Sequence, residues 1–304
     1  MEMIIMLLST AAFMCLIVCI ALLFMGIEEC FHRTNKNNLH LSIFALFRVF
    51  IRCSLCLSSE VPAALRLSGL SLCAVFLFIP MGSLPPFFSS KAGLFLIIGL
   101  LLLAQDFYIR GLKKYSVRVY VSLDRERVNM LFKFAFALLV AVVTMAWYVI
   151  NTGIPGSIFN ISTYSAMPIS DMTDVWGKLG MLFFFMSLSV ISPCRVGRCD
   201  ELSGYVSLLG IFDAVHSTLY PAIITALFLP WNISAFMKLT GLSMYLADFI
   251  FFWLKVFIVQ AVLIPPIRAV YLDLWSMLPF GHRGSPYVFF SCGGVLLFMA
   301  ELYL

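Results

Sequence analysis

The sequence predicts an all-α, polytopic membrane protein with about eight transmembrane helices and its N-terminus outside, and three observations carry that expectation. Of 304 residues, 62% are hydrophobic and only 12% charged, against roughly 25% charged in soluble domains; mean hydropathy is +1.02. Apolar runs near the spanning length recur along the chain. About 20 residues suffice, because a lipid-exposed backbone must satisfy its hydrogen bonds within the segment. Connections rich in Lys and Arg alternate with connections poor in them, as cytoplasmic and external loops do.

The first run, residues 3–27, contains no Asp, Glu, Lys or Arg and is the clearest span. Further spans are expected near 64–84, 92–109, 134–151, 177–193, 208–231, 247–267 and 286–304. The third, fifth and eighth are short or carry a charge near one end, where a long side chain can snorkel to the interface. Together they make one integral-membrane domain, residues 1–304, without an internal repeat, a low-complexity tract or a soluble domain. No positive region precedes the first run and no small-residue cleavage site stands out, so that run is expected to be retained.

Orientation follows from the basic residues. Loop one holds Arg33, Lys36, Arg48 and Arg52; loop three holds Arg110, Lys113, Lys114, Arg118, Arg125, Arg127 and Lys133; loops five and seven add Arg195, Arg198, Arg268 and Arg283. The other side has Lys91, Lys178 and Lys238. This bias places both termini outside in a cytoplasmic (inner) membrane. It also reads the net charge of +5 as a topology signal, with no nucleic-acid partner implied.

Ionisable residues at membrane depth are costly and are functional candidates by default. Asp213 and His216 lie three apart in the sixth run, with Tyr220 continuing their face; Asp248 and Lys255 lie seven apart in the seventh; Glu301 lies near the end of the eighth. Residues at these spacings share a helix face. Two readings are open: a chain of titratable groups passing protons, with His216 able to change charge near neutral pH, or structural pairs that neutralise each other.

Cys53 and Cys56 form C-x-x-C in loop one, and Cys194 and Cys199 lie in loop five on the same side. Four thiolates could hold zinc or an iron–sulfur cluster. The unequal spacing and the five other cysteines in or beside apolar runs favour cysteine as a small hydrophobe instead, and no metal is expected. The stretch "LHLSIFALFRVFIRC" spaces apolar residues against His40, Arg48 and Arg52 as an interfacial helix or a helical extension would. There is no phosphate loop, no Ser/His/Asp arrangement and no zinc-binding helix motif. The chain by itself is expected to be non-catalytic.

The stretch "DELSGYVSLLGIFDAVHSTLYPAIITALFLPW", residues 200–231, resembles the E-Y-S-G…ALF…ALF-P segment of the complex I subunit that anchors the peripheral arm. It is most similar to the version in energy-converting nickel–iron hydrogenases of the formate hydrogenlyase type. Glu201, Ser203 and Gly204 fall on the E-Y-S-G positions. "RERVNM", residues 125–130, is similar to the family's R-E-x-x-Q-M, and "FFWLKVFIVQ", residues 251–260, to its W-x-L-K-V-F segment. The resemblance covers roughly residues 120–270.

The departures are specific. Where the family has an acidic E-T-x-R-x-P-F-D loop that shapes a quinone chamber, this chain reads "SPCRVGRCDELSG". A carboxylate of the family's proton route falls at Phe134. These losses favour a hydrogenase-like relative over a quinone-binding one.

The resemblance implies a membrane anchor and ion-translocation-coupling subunit of an oxidoreductase complex. Its partners would be hydrogenase-like large and small subunits and antiporter-like membrane subunits, with the nickel–iron centre and iron–sulfur clusters in those partners and no cofactor in this chain. Glu126 and Glu201 would form the mouth of the ion path, continued by Asp213, His216, Asp248 and Lys255. Arg125, Arg127, Arg195 and Arg198 would meet the docked module. Two other classes remain open: a stand-alone secondary transporter or channel, for which Pro80, Pro221, Pro265 and Pro266 would break the spans, and a non-conducting scaffold subunit.

Overall fold

A computed structural model of the chain describes residues 2–33, 63–113, 120–153, 157–165, 175–191, 205–237, 240–267, 269–270 and 286–303. The helices are α1 (Glu2–Arg33), α2 (Ala63–Val75, tightening into a 3₁₀ turn at Phe76–Phe78), α3 (Gly93–Lys113), α4 (Tyr120–Thr152), α5 (Ile161–Ser165), α6 (Val175–Ile191), α7 (Tyr205–Phe228), α8 (Ile233–Met237), α9 (Leu242–Ile258) and α10 (Pro286–Tyr303). Among the described residues the nearest thing to a strand is an isolated bridge between Met81 and Leu84.

All eight apolar runs expected to be helical are helical. Three contain stretches long and apolar enough to cross a membrane: Gly93–Gly111, Met130–Thr152 and Leu242–Ile267. The other five form shorter apolar helices: Leu8–Phe24, Ala63–Phe78, Val175–Ile191, Ala214–Phe228 and Tyr287–Tyr303. The fold is therefore an all-helical one of membrane type.

The helix boundaries differ from expectation in instructive places. The second run ends at Phe78 instead of continuing to 84, because Pro80, Pro85 and Pro86 cannot donate to a helix and Gly82 takes φ 70° in a tight turn. Polar flanks extend α1 to Arg33 and begin α4 at Tyr120, well before residue 134. The prolines at 265 and 266 do not break α9. The helix absorbs them through a π-helical turn at Val259–Leu263, in which the N–H of Ile264 donates to the Val259 carbonyl, as one-turn π-bulges do where the normal ladder is interrupted.

Contacts show that two pairs of neighbouring helices run antiparallel. Along α6 and α10, Gly177 meets Glu301, Gly180 meets Phe298, and Ser187 meets Ser291 and Tyr287. Along α2 and α3, Leu65 meets Gly111 and the Ser68 hydroxyl donates to the Ala104 carbonyl. One end of the bundle gathers the connections 79–92, 157–165 and the described part of the next, 229–237. There Phe13 of α1 stacks on Phe87, Leu94 N–H donates to Phe159 O, and Ser157 Oγ–H donates to Lys91 O. The end of α10 meets the start of α6 through Glu301 and Gly177 and the last turns of α4 through Tyr303 and Trp147.

At the centre lies α7, which touches α1, α2, α5, α6 and α9 and is buried almost all round from Ala214 to Phe228. A mostly apolar helix buried on every side is an interior helix, and its few polar groups are themselves buried. Without a strong hydrophobic drive between helices in lipid, close packing of small residues supplies cohesion. Gly180, Gly293 and Gly294 do this for α6 and α10, each lying where a Cβ would strike the ring of Phe298, Phe183 or Phe184 within 2.9 Å.

Candidate functional site

The densest polar site sits where α9 passes the ends of α2 and α7. Asp248, 0% exposed, is held by one residue of α8: its Oδ1 accepts from Ser234 N–H at 2.9 Å and its Oδ2 from Ser234 Oγ–H at 2.6 Å. Orphan N–H groups and a positive dipole end make a helix start receptive to an anion. Ser234 lies in the first turn of α8, so Asp248 caps that helix from a different segment. The Ser83 hydroxyl faces the same carboxylate from the turn at 81–84, near enough to feel its charge but outside hydrogen-bond geometry. Gly82 lies against the backbone of Asp248: a Cβ there would lie 2.7 Å from the Asp248 carbonyl oxygen.

Two turns further along α9, Lys255 performs the reciprocal task. Its Nζ donates to the carbonyls of Leu229 and Trp231, both at 2.6 Å, just past the last residue of α7. A cation belongs there, at the negative end of a helix dipole. The ammonium also sits 5.2 Å from the centre of the Phe251 ring, a cation–π distance. The lysine is 9% exposed. Its stem reaches back toward the start of α9, the direction in which helical side chains lean.

Glu301 follows the same logic at a third helix end. Its Oε2 accepts from Gly177 N–H at 2.9 Å, in the first turn of α6. The sequence left two readings open for Asp248 and Lys255, a titratable relay and a mutually neutralising pair. In the structure the two attract each other without a direct ion pair, and each binds backbone. The ion pair among the described residues is exposed Arg110 with Asp106, one turn apart on α3.

A second polar spot lies deeper, on α7. His216 Nε2 and Tyr220 Oη are 2.7 Å apart and buried. The Tyr220 ring stacks on Phe134 of α4 with centroids 3.9 Å apart. Phe134 is the position where the resemblance implies a carboxylate, and here its ring lies flat against that of Tyr220. The backbone of Asp213 lies one turn before His216 on α7; its side chain is outside what the structure describes. Glu126, Arg125 and Arg127 lie on the first turns of α4, with side chains likewise outside. Glu201, Arg195, Arg198, Cys53, Cys56, Cys194 and Cys199 lie outside the described residues, as does the expected interfacial helix of loop one.

Among the described residues no group of three His, Cys, Asp or Glu side chains is placed to hold a metal, and Cys15, Cys19, Cys73 and Cys292 are free thiols. Sequence reasoning missed Ser234, Gly82, Gly177 and the carbonyls of Leu229 and Trp231. A signal was present for two of them: Asn232 and Ser234 are helix-starting residue types, and the Pro80…Gly82…Pro85 spacing is turn chemistry. For backbone carbonyls no sequence signal exists. No family model matches the chain, and no curated protein matches it.

Proposed function

We propose that this chain is the membrane anchor subunit of a complex I-like assembly of the energy-converting hydrogenase type, crossing the cytoplasmic membrane eight times with its N-terminus outside. An all-helical fold with three helices long and apolar enough to span, together with the one-sided basic residues, supports that topology. The segments at 125–130, 200–231 and 251–260 support the assembly. Arg125, Arg127, Arg195 and Arg198 dock a redox module, whose nickel–iron and iron–sulfur centres stay in the partner subunits.

Within that assembly the chain acts chiefly as a scaffold. One observation carries this: Asp248, Lys255 and Glu301 each bind the backbone at a helix end, so these membrane-depth charges already have structural work. A second reading, coupling to proton or sodium movement through Glu126, Glu201, Asp213, His216, Asp248 and Lys255, is favoured by the buried His216–Tyr220 contact, which is protonatable on both sides.

Purification in mild detergent followed by mass spectrometry tests the assembly: hydrogenase-like large and small subunits should travel with the chain, and a clean monomer would sink the proposal. In the purified assembly, Tyr220→Phe separates the two roles. A scaffold predicts unchanged ion movement per turnover, and a loss of coupling with intact assembly would establish the second reading.

A further inference from the structure

The exposed surface around α8 does not resemble an ordinary external loop. Phe236 is 79% exposed, Met237 63% and Leu242 85%, with Trp231 and Leu246 beside them. Sequence positions 231–246 contain a single charged residue, Lys238, of the sign that suits phosphate headgroups.

This surface continues a longer one. Along α9 and its π turn, Leu246, Ile250, Leu254, Ile258 and Val262 are all exposed at intervals of four, which is one helix face. At the membrane reading proposed above, on which this inference rests, that stripe faces acyl chains. Leu242, Met237 and Phe236 extend it past the ends of α2 and α7, which Asp248 marks by its contacts with Gly82 and Ser234.

Length sets the level of the patch. Leu242–Ile267 comprises 26 residues, about 39 Å at 1.5 Å per residue, against about 30 Å of hydrocarbon. The excess of about 9 Å equals the rise over the six steps from Leu242 to Asp248, so the first turns of α9 are long enough to extend past the acyl region. It spans roughly one headgroup layer, the depth at which apolar helix faces and Trp side chains settle.

We propose that α8 and the first two turns of α9 form a built lipid anchor, seated in the headgroup–acyl boundary of the leaflet on the side of the chain's termini. Asp248 and Lys255 set its angle by fixing Leu229, Trp231 and Ser234 of the 229–237 segment to α9. The bound partner is phospholipid, with Phe236 and Met237 as the inserted side chains and Trp231 at the interface.

The test replaces Phe236, and in a second variant Met237, with p-benzoylphenylalanine in the full assembly in native membranes. A third variant carries it at Leu254 as the mid-membrane reference. After irradiation, mass spectrometry of the chain should show a phospholipid adduct at 236 or 237 as well as at 254. A lipid adduct at 254 alone, or a crosslink from both 236 and 237 to another polypeptide, overturns the anchor while leaving the membrane reading intact. No lipid adduct at any of the three positions overturns both.

Discussion

Asp248 and Lys255, seven residues apart on one face of α9, direct their charges to the same stretch of backbone instead of to each other. The carboxylate takes the start of α8 through Ser234, and the ammonium takes the end of α7 through Leu229 and Trp231. The connection between α7 and α9 is thereby gripped at its start and at the first turn of α8 by side chains of the helix that follows it. Opposite charges on opposite helix ends are the arrangement the dipole favours, and each charge is also hydrogen-bonded, which is the condition for burying one.

Removing the carboxylate should release α8. Asp248→Ala strands the Ser234 N–H and leaves Lys255 without its balancing charge, so stability should fall by about 2–4 kcal/mol. Asp248→Asn keeps a carbonyl for the Ser234 N–H and should lose about half as much. Unfolding midpoints in mild detergent report both, and an Ala variant with the wild-type midpoint would show that the carboxylate does not hold this connection.

Because both charges act on one segment, their removal should not be additive. Lys255→Met leaves two carbonyls unbound, but once Asp248→Ala has freed the connection those carbonyls can turn to other partners. The double variant should be less destabilised than the sum of the singles by at least about 0.5 kcal/mol, the scale of coupled sites. Strict additivity in the same unfolding assay would mean that the two held points of the connection respond independently.

The helices themselves were legible because lipid imposes length and apolarity on any span, so runs such as 3–27 and 134–151 announce themselves. Where α2 stops was also written in Pro80, Gly82 and Pro85, yet the apolar run up to Leu84 masked it. The site was legible only by residue: Asp248, Lys255 and Glu301 stood out as costly charges, but their partners are backbone groups, and backbone is the same in every sequence. Spacing alone allowed Asp248 to meet Lys255, and nothing in it indicated that α8 would fold between them. The stacking of Phe134 on Tyr220 required the packing of α4 against α7.

Gly82 should be intolerant of even one added carbon. Its φ of 70° is unfavourable for an L side chain, and a Cβ would lie 2.7–2.9 Å from the backbone and Cβ of Asp248. Gly82→Ala should therefore cost about 1–3 kcal/mol through strain and overpacking, and the displaced α9 should loosen α8 as well. A fluorescent label at Met237→Cys would become more mobile in the Gly82→Ala background. Unchanged mobility with reduced stability would confine the effect to the turn.

The α6–α10 pair should tolerate loss of its cap better than loss of its glycines. Glu301→Gln keeps an oxygen for the Gly177 N–H and should change stability by less than about 1 kcal/mol, while Glu301→Leu leaves that N–H unpaired and should cost about 1 kcal/mol, the usual value of a lost cap. Gly294→Leu is different in kind. Its first carbon alone would lie 2.8 Å from the Phe184 ring, so the helices must separate, at about 3 kcal/mol or more once the larger side chain is included. Phe184→Ala opens space on the opposing helix and should rescue part of that loss. If Gly294→Leu proves as mild as Glu301→Gln in detergent unfolding, with no rescue by Phe184→Ala, the close approach of α6 and α10 is not what holds them together.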